Sequence, residues 1–298
     1  MDLAALNERL GLGGQLEIVA GQGGVPCALL QRGASYASVA LQGGHLIAYG
    51  EAEAPPIIWV SREALYAAGK AIRGGIPICW PWFGPHPSDP SKPAHGFVRT
   101  LSWEPLASGL SDDGAWLRLG LRDSAATLAL WPHAFALELT ITLGTRLDVA
   151  LLIRNSGDTP FTCGGALHSY FGVADIARAT ILGLEDKRYL DQLTGEEQLQ
   201  QGPIMIASEV DRVYQDAGDA TMIVDALLGR RIVVQKAGSR STVVWNPWVE
   251  KARRLADFGD DEYQGMLCVE TALALHDSVT LAPGATHTLR ARIWAEPV

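Results

Sequence analysis

Between Phe135 and Ile153 the chain repeats with a period of two. Phe135, Leu137, Leu139, Ile141 and Leu143 alternate with Ala136, Glu138, Thr140 and Thr142, and the pattern resumes at Leu147, Val149, Leu151 and Ile153. A helix would scatter these apolar residues around its circumference, whereas a strand puts them all on one face. The short link through Gly144-Thr145 makes the two runs a hairpin. Ala115, Leu117, Leu119 and Leu121 predict an earlier strand, and an extended run is expected from Phe161 to Phe171 after the turn-forming Asn155-Ser156-Gly157-Asp158. Later strands are expected over 232–236, 242–246, 266–271 and 289–294. Helical signals are short: Leu3, Leu6 and Leu10 before Gly11, a turn opened by Ser61, and Val249 to Leu255. Many strands with few helices predict an all-β fold, an antiparallel β-sandwich with a few short helices.

Composition narrows the class of function. Acidic residues outnumber basic ones by 33 to 24, and the net charge of −9 argues against nucleic acid as a partner. No apolar run is long enough to span a membrane, because Pro132, His133 and Glu138 break the most apolar window, Thr127 to Leu143. The first residues lack a basic-then-apolar leader, so a cytoplasmic location is expected. Cys27, Cys79, Cys163 and Cys268 have no CxxC spacing and read as buried, reduced thiols, which predicts no metal site. No linker or repeat divides residues 1–298, and one domain is expected. The sequence leaves the oligomeric state open, and a monomer suffices.

No phosphate-binding glycine loop, HExxH or GxSxG is present, and Gly11–Gly14 and Gly21–Gly24 read as turns. Three other segments carry chemistry. Arg73-Gly74-Gly75-Ile76-Pro77, with Trp80, Trp82 and Phe83 and then His95-Gly96-Phe97-Val98-Arg99, sets polar groups among aromatics on a backbone fixed by glycine and proline. Two arginines can grip a phosphate and an aromatic ring can lie on a sugar's C–H face, although pairing with nearby acids would serve the arginines equally. His168 and Glu270 each interrupt an otherwise apolar run, where a lone titratable group is costly unless paired or used. They are candidate acid and base, and each could equally be a satisfied structural residue.

These segments, together with Val244-Trp245-Asn246-Pro247-Trp248, Glu250-Lys251-Ala252 and Cys268-Val269-Glu270-Thr271-Ala272, occur in an order that resembles the hexose-6-phosphate mutarotases. These glucose-6-phosphate 1-epimerases are a branch of the galactose mutarotase-like proteins. The resemblance runs from about Gly43 to the last strand. It implies a β-sandwich of the galactose mutarotase type, an open cleft on one sheet, no cofactor and a sugar phosphate as partner. Residue by residue it implies His168 and Glu270 as catalytic, Arg73 and Arg99 as phosphate-binding, and His95 and Asp211 beside the sugar. Some relatives carry glutamine where Ala94 stands, which leaves the preferred hexose open.

Anomer exchange on such a site requires ring opening, with Glu270 as base on the C1 hydroxyl and a protonated His168 as acid on the ring oxygen. Ordinary pKa values of about 4.3 and 6.5 then predict activity that rises as Glu270 ionises and falls as His168 loses its proton. Three rivals remain: a mutarotase for unphosphorylated sugars, a non-catalytic sugar-phosphate binder, and a glycosidase, for which a second catalytic carboxylate is wanting.

Overall fold

The expected hairpin forms from Phe135–Leu143 and Leu147–Asn155, with Leu143 opposite Leu147. Its odd-numbered residues are buried and its even-numbered ones are partly or fully exposed, as the alternation requires. In the computed structural model, which describes residues 1–298, this hairpin lies within a nine-stranded sheet. Gly114–Arg122 and Glu104–Ser111 continue it on one side, and Thr286–Pro297, Arg230–Ala237 and Ala220–Asp225 on the other. Every pairing along it is antiparallel.

An eight-stranded sheet has Val210–Tyr214, Ser241–Asn246 and Met266–Leu273 at its centre, with Gly165–Leu167 and Tyr170–Gly172 both pairing with Met266–Leu273. A four-stranded sheet from Leu16 to Glu51 completes the main architecture. One cluster of 56 buried residues runs from Leu10 to Ile293 and includes Leu139, Val149, Leu167, Val244 and Val269. Each such aliphatic side chain contributes about 1.5–3 kcal/mol by leaving water, and truncating Leu139 to alanine would cost about 2–5 kcal/mol.

The central strands of the eight-stranded sheet are covered on both faces. All six residues of Ser241–Asn246 and all eight of Met266–Leu273 are buried. Leu267, Val269 and Leu273 face the main core. Cys268, Glu270 and Ala272 alternate with them and point the other way. The helix Trp248–Arg254 and the loop after it cover one end of that second face, through Ala252 and Phe258 packed with Tyr170, Trp245 and Cys268.

Three features depart from expectation. The run from Phe161 to Phe171 is broken into Phe161–Cys163, Gly165–Leu167 and a strand starting at Tyr170. The four N-terminal strands were not anticipated, because Ser35–Ala40 and its neighbours carry small Ala, Ser and Gly residues where a pattern reader needs large apolar ones. A helix, Ala125–Leu130, occupies part of the apolar window; it is started by reciprocal Ser124 and Thr127 side-chain bonds and is followed by Pro132. Gly13 and Gly14 form a turn while Gln22–Gly24 is a short 3-10 helix, the four cysteines are free and buried, and no helix is long and apolar enough to cross a membrane.

Candidate active site

Strand register builds the floor of a cleft of about 230 Å³. Leu167 lies opposite Thr271 and Tyr170 opposite Cys268. The register is therefore the same on both sides of the two-residue gap, and His168 falls directly across from Glu270. Glu270 in turn pairs with Val243, and Val243 with Val213. One row beyond, Asp211, Trp245, Cys268 and Tyr170 are cross-strand partners in the same sense. These two rows share a face because they are two residues apart along each strand. The next row is made of small residues, Ala272, Ala166 and Cys79, which leave volume rather than fill it.

His168 Nε2 is 3.5 Å from Glu270 Oε1. Glu270 is 1% exposed, and its other carboxylate oxygen has no hydrogen-bond partner. Burial pushes Glu270 well above the usual carboxylate range, and the negative Asp211 adds to the effect. Burial pushes His168 well below an ordinary imidazole, helped by His95, Arg99 and Arg73. Tyr170 stacks on the His168 ring at 4.7 Å and 9°, and Trp245 meets it edge-on, so the imidazole is held between aromatic surfaces.

The remaining groups come from loops around this floor. Arg73 is fixed by Asp257, 3.1 Å away, and by the Tyr170 hydroxyl at 3.4 Å. Burial alone would weaken its charge, but Tyr170 and Asp257 more than offset this. Gly74 and Gly75 have φ of 105° and 71°, and a Cβ on Gly75 would run into the Leu46 carbonyl, so this turn accepts only glycine. Beneath it His45, fully buried, bonds the Gly74 carbonyl at 2.7 Å. His95 is held by its own amide on the Gly84 carbonyl, while the Gly84 amide donates to His95 Nδ1. Burial, with Arg99 and Arg73, lowers its pKa to about 3. The ring is therefore neutral near pH 7 with its proton assigned to Nε2, which can donate a hydrogen bond.

A family model described as Aldose 1-epimerase matches residues 26–294. The chain belongs to the aldose 1-epimerase family. A protein of Cenchrus ciliaris named "Putative glucose-6-phosphate 1-epimerase" is 38% identical over 275 residues, which are 88% of this chain and 82% of that protein. One of the same name from Escherichia coli K12 is 38% identical over 240 residues, 80% of each chain. A crystal structure described as a "putative mutarotase" from Salmonella typhimurium superposes with a TM-score of 0.89 at 31% identity, covering 97% of this chain and 96% of the other. A galactose mutarotase-like protein from Clostridium acetobutylicum shares the fold at a TM-score of 0.76 and 14% identity, over 95% and 98% of the two chains.

In this aldose 1-epimerase the cleft brings together His168, Glu270, Arg73, His95 and Asp211. Arg99 is half-buried, bonds the Ala94 carbonyl at 3.0 Å and does not line the cleft. A second cation does. Lys251 Nζ lies 3.0 Å from Glu209, 3.7 Å from Asp211 and 5.8 Å from the Trp245 ring. Asp211 is raised above its usual range by burial, against the pull of Lys251. Tyr170, Trp245, Lys251 and Gln192 were given no role from sequence. Trp245 and Lys251 sit inside motifs of the resemblance and Tyr170 stands two residues after His168, which was the available signal; Gln192 sits in a turn that carries none.

Proposed function

We propose that this aldose 1-epimerase interconverts the α and β anomers of a hexose 6-phosphate, glucose 6-phosphate foremost, with His168 and Glu270 moving the protons. The observation that carries the proposal is the facing His168–Glu270 pair on a cleft floor, with Arg73 and Lys251 as cations beside it. Glu270 takes the C1 hydroxyl proton as the C1–O5 bond opens, and His168 gives a proton to O5. Rotation about C1–C2 turns the aldehyde, and reclosure returns both protons. Burial limits how often Glu270 is ionised while His168 is protonated, yet it makes that ionised pair a stronger base and a stronger acid.

Arg73 supplies a guanidinium for the 6-phosphate, with Lys251 as a second cation. His95 donates to a sugar oxygen, and Asp211 accepts from a hydroxyl. Phosphate at one end fixes C1 at the other, so remote binding energy is spent on alignment. The names of the relatives support the phosphorylated substrate. A free-sugar reading is favoured by one observation, that Asp257 already partners Arg73 without a ligand. Free, buried cysteines suit the reducing cytoplasm. NMR exchange spectroscopy on glucose 6-phosphate and glucose separates the two substrates: the proposal requires faster enzyme-dependent exchange for the phosphate ester.

A further inference from the structure

Cys268 is a nucleophilic side chain on the cleft-facing side of the sheet that ring opening does not use. It is two residues from Glu270 on the same side of Met266–Leu273, and it is the cross-strand partner of Tyr170. One ligand-forming atom from each of His168, Cys268 and Glu270 lies within 4.8 Å of the other two, and all three residues are buried. We propose that these three side chains form an inhibitory site for a thiophilic divalent cation, Zn²⁺ being the matching ion.

The geometry fits that ion. Ligand atoms about 2.0 Å from a tetrahedral zinc stand about 3.3 Å apart, and the His168–Glu270 separation of 3.5 Å is already close to this. The Cys268 sulfur lies within 4.8 Å of both other donor atoms, and its longer bond to zinc lets it stand farther from them than they stand from each other. His168 and Glu270 line the cleft, from which water or a sugar oxygen could supply a fourth ligand. Glu270 brings a buried oxygen with no partner, which a cation would satisfy. A nitrogen, a thiolate and a carboxylate select zinc over the hard cations Mg²⁺ and Ca²⁺.

Binding releases the Cys268 thiol proton and any proton on Glu270 to solvent and forms three metal–ligand bonds, with no change of oxidation state. His168 Nδ1 has no hydrogen-bond partner to orient the ring as a ligand, so the site binds reversibly rather than as a structural zinc. A zinc ion there removes both the acid and the base. Inhibition therefore rests on the proposed roles of His168 and Glu270, whereas binding does not.

The test uses the full-length protein with two probes. Co²⁺ should give a thiolate-to-cobalt charge-transfer band in wild type that is missing in Cys268→Ala and Cys268→Ser, the serine variant preserving packing. Zn²⁺ titrated into the glucose 6-phosphate exchange assay should inhibit wild type reversibly by chelator. Relative to its own metal-free rate, each variant should need at least about tenfold more zinc. Absence of the band in wild type, or equal zinc sensitivity in wild type and variants, would overturn the site. A Cys268-dependent band with undiminished exchange would keep the metal ligands and overturn both the inhibition and the catalytic reading of the pair.

Discussion

His168 and Glu270 face each other across a sheet ladder, one on the irregular link before Tyr170 and the other in the middle of Met266–Leu273, and their side chains meet at 3.5 Å. The relationship is a property of register. Moving either strand by one residue would turn its titratable group into the sandwich core and bring Leu167 or Ser169, or Val269 or Thr271, to the cleft in its place.

Because the two groups act on one substrate in one step, His168→Ala and Glu270→Gln should each lower the exchange rate by about 10² to 10⁴. The double variant should be far less than multiplicatively slower. Retention of more than half the wild-type rate in either single variant, with the fold intact by circular dichroism, would remove that residue from the mechanism.

The pH profile should assign its limbs in the reverse of the order expected from ordinary pKa values. Glu270 is held high by burial and Asp211, and His168 low by burial and its cationic neighbours. The pair therefore carries one proton over a wide range: a second, on His168, stops the reaction on the acid side, and loss of the only one stops it on the alkaline side. In kcat/KM profiles the residual rate of His168→Gln should rise with pH through the raised range in which Glu270 ionises, since only the carboxylate is left to act, while that of Glu270→Gln should fall as His168 loses its proton. A free sugar serves as control, since a phosphate ester titrates near pH 6. A residual His168→Gln rate that instead rises near an ordinary carboxylate pKa of about 4.3 would restore the original order.

Stability should depend on pH through His45. Burial lowers its pKa from 6.5 to about 4, so between these values the unfolded chain binds a proton that the folded chain refuses. Stability from this group is complete above 6.5 and is lost as pH falls toward 4, by an amount of up to about 3 kcal/mol. Raised Glu270 acts with the opposite sign above 4.5. Urea unfolding at several pH values should show a shallower loss on acidification in His45→Gln; an unchanged slope would contradict the assignment.

Two proton transfers complete the ring opening, so dialysis against a strong chelator should leave exchange undiminished. Activity lost on chelation and restored by a single divalent ion would require a metal in the mechanism.

The sequence made the strand-rich class and the residues of the pair legible for different reasons. Leu137, Leu139 and Ile141 declare a buried face by periodicity alone, and Glu270 stands out because a carboxylate is rare between Val269 and Ala272. What stayed illegible depends on pairing across long separations. Nothing near Lys251 in sequence says that it meets Glu209 and Asp211, nor does anything near Arg73 announce Asp257. Exposure to the cleft was equally hidden for Arg99, whose motif matches a phosphate ligand while its guanidinium donates to the Ala94 carbonyl and does not line the cleft.

The most direct measurement compares glucose 6-phosphate with glucose in wild type, Arg73→Ala and Arg73→Lys at fixed ionic strength. If Arg73 reads the 6-phosphate, the alanine variant loses a charge-assisted contact of about 1.5–3 kcal/mol, roughly 10- to 150-fold in kcat/KM, on the phosphate ester alone. Lysine should recover only part of it, since an ammonium lacks the two-pronged donor geometry. Arg99→Ala should cost less, because that side chain does not line the cleft. The account predicts that the preference for glucose 6-phosphate collapses while slow exchange on glucose is unchanged; equal losses on both sugars would contradict it.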